Sequence, residues 1–167
     1  MRGLIVKKKI VFICLSVLII TLGIVGLRKY QNKMSQNIFS NTMLSSVNFS
    51  LFRPASLPTG FIINKQSIQT NGQIVTYSAS DKLGHNIVFS IQQRPATFDF
   101  DSFYSKSLTS TQRFITNNGE AAIGSAALAG KVGSLVSGDT WVLVTSNYSS
   151  LTSEAFQDIL KGLTPAH

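Results

Sequence analysis

Asn71-Gly72-Gln73-Ile74-Val75-Thr76-Tyr77-Ser78-Ala79 is the stretch that decides the fold class. Asn-Gly adopts the left-handed backbone of a two-residue hairpin loop at little cost, and the residues after it alternate and are β-branched or aromatic at several positions. On the N-terminal side, residues 61–70 read as the partner strand. On the C-terminal side, Asp81-Lys82-Leu83-Gly84 turns the chain again, and residues 86–93 place Ile87, Phe89 and Ile91 on one face of a third strand. Arg94-Pro95 ends that strand, because proline donates no ladder hydrogen bond.

Further along, the period changes and then returns. Phe100, Phe103, Tyr104 and Leu108 fall at helical spacing behind Asp99 or Asp101 as the cap. Residues 113–116 form a short strand turned by Asn117-Asn118-Gly119, and residues 120–129 and 131–137 alternate small and apolar side chains as two more. Residues 140–145, which include Trp141, make the last strand. Thr152 or Ser153 caps a final helix with Phe156, Ile159, Leu160 and Leu163 on one face. Glu154 near its start and Lys161 near its end suit the helix dipole. Strands joined by hairpin-sized turns imply an antiparallel sheet. The expected class is α+β: a sheet of about six or seven strands, with two helices packed on one face and a transmembrane helix ahead of it.

That leading helix is read from residues 10–27, IVFICLSVLIITLGIVGL, which carry no charge between Ile10 and Leu27. Eighteen helical residues rise about 27 Å, close to the thickness of a hydrocarbon core of about 30 Å and within the length range of membrane-spanning helices. The run exceeds the apolar part of a cleaved signal peptide, and no Ala-x-Ala site closes it, so an uncleaved anchor is expected. Val11-Phe12-Ile13 before Cys14 lacks the small residues of a lipoprotein cleavage site, which leaves Cys14 as a small apolar side chain. Arg2, Lys7, Lys8 and Lys9 on one side outweigh Arg28, Lys29 and Lys33 on the other, which puts residues 1–9 in the cytoplasm and the bulk of the chain outside. Residues 28–53 read as a polar stalk; Met34, Ile38, Phe39 and Met43 permit an amphipathic helix in it. Two prolines, Pro54 and Pro58, mark the expected domain boundary and leave residues 54–167 as the extracytoplasmic domain.

Charge excludes one class of function. Eight Lys and Arg residues and no acid precede Pro54, whereas seven bases and seven acids follow it. The chain's +8 therefore belongs to the membrane flanks, and the neutral domain lacks the basic face that nucleic acid requires.

Pro54-x-x-Leu57-Pro58-x-Gly60-Phe61, then Val75-Thr76-Tyr77, Ile91-Gln92-Gln93, Asn117-Asn118-Gly119-Glu120-Ala121-Ala122 and Trp141-Val142-Leu143 form a pattern over roughly residues 54–163. It resembles an uncharacterised bacterial extracytoplasmic domain found behind one membrane helix, often in proteins related to anti-sigma factors. The resemblance implies the outer module alone, since residues 1–9 are too short for a folded inner effector. It carries over no catalytic residue.

The domain's own residues supply no catalytic or metal pattern. Its histidines are His85, in a turn where solvation is expected, and His167 at the end. Asp99-Phe100-Asp101-Ser102 lacks the glycine and glutamate of a calcium loop and suits a helix cap. No Gly-x-Ser-x-Gly elbow occurs, and residues 124–138, though rich in glycine, lack both phosphate-loop spacings. Neither metal nor organic cofactor is expected, and the chain is read as non-enzymatic. Trp141, Tyr77 and Phe89 are the candidate ligand or partner contacts, if they line one open sheet face together; helices laid over that face would make them core. The expected function is a membrane-anchored binding or interaction module. Its partners would be the lipid bilayer, through residues 10–27, and a protein, peptide or cell-wall component. A structural subunit of a surface assembly, pilin-like or part of a secretion complex, ranks second. The run lacks the small residue ahead of it and the early glutamate that pilins carry.

Overall fold

The computed structural model describes residues 38–127 and 130–166. The expected cytoplasmic tail, membrane helix and first part of the stalk lie outside the described residues. Among those described, no helix is long and apolar enough to cross a membrane.

A compact unit spans Phe39–His167. It is mostly β. A short helix α1 (Asn41–Ser46), capped by Ser40, leads into strand β1 (Phe52–Pro54). Then come β2 (Ile62–Thr70), β3 (Ile74–Ser80), β4 (Asn86–Gln93), helix α2 (Phe100–Ser107), β5 (Thr109–Thr116), β6 (Gly119–Ala126), β7 (Gly130–Ser137), β8 (Thr140–Ser146), helix α3 (Ser153–Lys161) and β9 (Leu163–Pro165). Seven strands form one antiparallel sheet in the order β2-β3-β4-β8-β7-β6-β5, while β1 pairs with β9 apart from it. Two hairpin-connected meanders, β2 to β4 and β5 to β8, thus meet along β4 and β8.

The domain begins earlier than its prolines suggest. Residues 39–53, read as the end of a stalk, belong to the fold. Phe49, Leu51 and Phe52 are buried, and the Phe39 ring meets Tyr77 edge-on at 5.6 Å. Phe52 pairs with Pro165 and Pro54 with Leu163, so the segment ahead of the sheet is tied to the segment behind it. Leu163, expected on the last helix face, instead starts β9 and is fully buried there. Gly162 ends α3, its N–H bonding to Asp158 O at 2.9 Å.

Register sets the two faces. Val75, Tyr77, Ala79, Ile87, Phe89, Ile91, Val142, Val144 and Leu135 share one side and are all buried. Helix α3 lies over this core face with Phe156, Ile159 and Leu160 buried. A Cβ built on Gly133 of β7 would sit 2.7 Å from the Phe156 ring and 2.8 Å from Leu160, so helix and strand touch at a glycine. Helix α2 covers the other face: Tyr104 and Leu108 cluster with Ala122 and Val132. Ala122 stands opposite Ser134, the neighbour of Gly133, and successive strand residues point to opposite sides. The expectation of two helices on one face is therefore corrected; α2 and α3 pack on opposite faces. Burial on both sides also explains the weak alternation of β6 and β7, whose inward residues on each face are small or apolar.

Replacing Gly133 with valine inserts side-chain atoms where Phe156 and Leu160, both buried, have no room to retreat. Gly133→Val is expected to lower unfolding stability by about 1–3 kcal/mol, measured as a reduced urea midpoint.

Candidate functional site

The three aromatic residues singled out in the sequence do not meet on one face. Tyr77 and Phe89 are cross-strand partners whose rings stack at 4.6 Å in the core. The Tyr77 hydroxyl donates to Phe52 O at 2.9 Å, and burial pushes its pKa up. Trp141 stands opposite Gln92, not opposite Phe89, so it points to the other side of the sheet. There its Nε1 donates to Ser134 Oγ at 2.8 Å, and Tyr104 Oη shares that hydroxyl at 3.0 Å. Phe98, Phe100 and Phe103 surround the indole at 4.9, 5.5 and 5.6 Å. All three candidates are buried, and their rings pack against protein rather than facing solvent.

An open cleft lies elsewhere, at the end of the sheet where the β2–β3 hairpin tip and the end of β4 face residues 45–49. It encloses about 630 Å³, within the range of small-molecule sites. Every residue lining it is uncharged: Asn48, Gln73, Gln92 and Gln93 supply amides, Ser45 and Ser46 hydroxyls, and Val47, Ile74 and Pro95 apolar patches. Asn48 Nδ2 donates to Gln93 Oε1 at 3.4 Å, and the Ser50 N–H bonds Thr140 Oγ1 at 2.9 Å, which holds this segment against the sheet. An amide side chain both donates and accepts, so the cleft can bind polar neutral groups. Among the described residues, none that lines it carries a carboxylate, imidazole, thiol or amine to move a proton. Sequence reasoning missed it because residues 45–48 looked like spacer; the run of Asn, Gln and Ser was the signal available.

Several titratable groups elsewhere are engaged in structure. Asp99 caps α2 as expected, accepting from the Ser102 N–H at 2.9 Å. Arg113 pairs with Asp101, lies 3.6 Å from Glu120 and covers the Tyr104 ring at 4.9 Å. At the start of α3, Lys131 Nζ meets Ser153 Oγ at 3.4 Å beside a cavity of only about 100 Å³. Glu154 is held below the usual carboxylate range, first by its own backbone N–H and also by Thr152 and Lys131. Among the described residues no three His, Cys, Asp or Glu side chains cluster as metal ligands, and no buried side-chain polar atom lacks a partner. No protein-family model and no curated protein matches the chain.

His85 is not simply solvated. Its Nδ1 lies 2.7 Å from Asp81 Oδ2, and its ring stacks on Tyr148 at 4.0 Å. Asp81 Oδ1 also accepts the N–H groups of Leu83 and His85, each at 2.9 Å, so one carboxylate fastens the whole β3–β4 loop. His167 lies outside the described residues.

These bonds, led by that to His85, lower the Asp81 pKa below its ordinary value. A lowered carboxylate pKa means stability that is complete above the unfolded value of about 3.9 and is lost as pH falls through the folded one. The amides of Leu83 and His85 should therefore keep their exchange protection down to about pH 4 and lose it in stronger acid. Asp81→Asn should abolish that acid step, read by NMR of the loop amides.

Proposed function

We propose that the chain is a membrane-anchored extracytoplasmic binding or interaction module without catalytic activity. Residues 10–27 anchor it in the bilayer, residues 1–9 stay in the cytoplasm, and the sheet domain meets its partner outside. The observation that carries this reading is the division of charge: eight bases and no acid ahead of Pro54, flanking an uncharged apolar run, then exact balance over the remaining 114 residues. Placing that run in lipid removes apolar surface from water, and the cluster at Lys7, Lys8 and Lys9 sets the orientation. The uncharged cleft supports a binding role, since a site without acid–base groups can select by hydrogen bonding and shape but has no means of proton transfer. A neutral peptide or cell-wall component fits its amide lining. The resemblance to bacterial outer domains behind a single membrane helix points the same way.

Cys14 is the sole cysteine, which makes the topology directly testable. In a Cys14→Ser background, a cysteine replacing the exposed Leu83 should react with a membrane-impermeant maleimide in intact cells. One replacing Lys8 should react only after permeabilisation. The protein should also stay in the pellet through alkaline carbonate. Release by carbonate, or the opposite labelling pattern, would contradict the proposed address.

A further inference from the structure

The two outer edges of the sheet are finished differently. At the β2 edge the ladder to β3 is interrupted between Asn64 and Gln69. The looped-out residues are fastened by side chains: Asn64 Oδ1 accepts the Gln66 N–H at 3.0 Å, and Ser67 Oγ donates to Asn64 O and accepts the Ser78 N–H. Exposed Lys65 sits at the same place. A bulge and a lysine are the devices that keep an edge from recruiting another strand.

The β5 edge has its own bulge near Ser110, with φ 54°, but only there. Residues 112–116 then run in unbroken register with β6 and contain neither lysine nor proline. The two-residue loop Asn117-Asn118 makes Thr116 and Gly119 a hydrogen-bonded pair. By the alternation of an antiparallel ladder, Phe114 and Gln112 also bond β6, and the N–H and C=O groups of Arg113 and Ile115 point outward. Among the described residues no strand lies beyond β5 in the sheet, and no backbone bond outside the ladder reaches these groups. Ile115 is 77% exposed.

We propose that the β5 edge is a docking site for an extended segment of a partner polypeptide, which adds to the sheet as an eighth strand. The inference rests on the binding-module reading and names the partner's chemistry. Alternating donors and acceptors at strand spacing are matched by another extended backbone, whereas a flat apolar surface would leave them unpaired. Side chains narrow the choice. Arg113 is matched by Asp101 and Glu120 on one face, where Ile115 offers an apolar contact. On the other face Lys161 lies 5.6 Å from the centre of the Phe114 ring, and among the described residues it forms no ion pair with a carboxylate. The fitting segment therefore carries an apolar residue beside Ile115 and an acidic one beside Lys161. A second copy fits poorly. Antiparallel self-pairing over residues 112–116 centres on Phe114 and brings two Lys161 ammonium groups to the same patch.

The test uses the full chain in detergent micelles and a phage-displayed library of random nonapeptides. Selected sequences, resynthesised and measured by fluorescence anisotropy, should bind at least tenfold more weakly to Ile115→Lys and to Ile115→Pro. The proline removes only an outward N–H, so the ladder to β6 stays intact. Ile62→Lys, on the blunted edge, should bind like the parent, and circular dichroism checks that each variant is folded; if the proline variant is not, the lysine variant decides. Failure to select any binder, binding that survives Ile115→Lys, or a dimer that Ile115→Lys dissociates would overturn the proposal. Because binding is measured on purified protein, its failure is separate from a failure of the membrane address.

Discussion

Seven consecutive residue pairs between β4 and β8, from Ile87 opposite Ser146 to Gln93 opposite Thr140, make one sheet out of two meanders. Each meander is local, built from neighbouring strands and short turns. The β4–β8 ladder is not: it joins segments separated by α2 and three strands. Its register decides the side on which every apolar residue of the two halves lies, and a slip of one position would turn one half's core residues to the opposite face. The continuous core of Ile87, Phe89, Ile91, Val142 and Val144 exists only in the observed register. The β1–β9 pair and α3 then close over that core.

Much of the fold was legible in local pattern. Asn71-Gly72 does join β2 to β3, residues 86–93 are β4, and Asp99 and Thr152 cap the helices that follow them. These features depend on alternation, turn chemistry and capping, which act within a few residues. The strand read at residues 113–116 in fact starts at Thr109, because the bulge at Ser110 breaks the alternation that would have revealed it. The sides taken by α2 and α3 were not legible. Periodicity shows which residues share a face within one element, but the side to which a crossover passes is a property of the whole topology.

The same limit governs the candidate site. Trp141, Tyr77 and Phe89 are legible in the sequence as large aromatic residues on strands, but whether they share a face depends on the register between β4 and β8. With Gln92 opposite Trp141, the indole falls on the α2 side and the stacked pair on the α3 side. The cleft and the β5 edge depend on topology in turn, because strand order alone determines which strands become edges. Residues 39–53 were hidden for another reason. Phe39, Phe49, Leu51 and Phe52 are scattered among Ser and Asn without a period, and their burial comes from packing on the sheet and on β9 rather than from an element of their own.

If the β4–β8 ladder is the joint on which the domain depends, it should open only when the whole domain unfolds. Native-state amide hydrogen exchange tests this most directly. The amides of Val88, Ser90 and Gln92 on β4 and of Trp141, Leu143 and Thr145 on β8, which bond across this ladder, should exchange slowest, at one common free energy equal to global unfolding. Two distinct values, one for β2 to β4 and another for β5 to β8, with the β4–β8 amides at the lower, would show that the meanders fold as separate units and contradict the joined sheet as the source of stability.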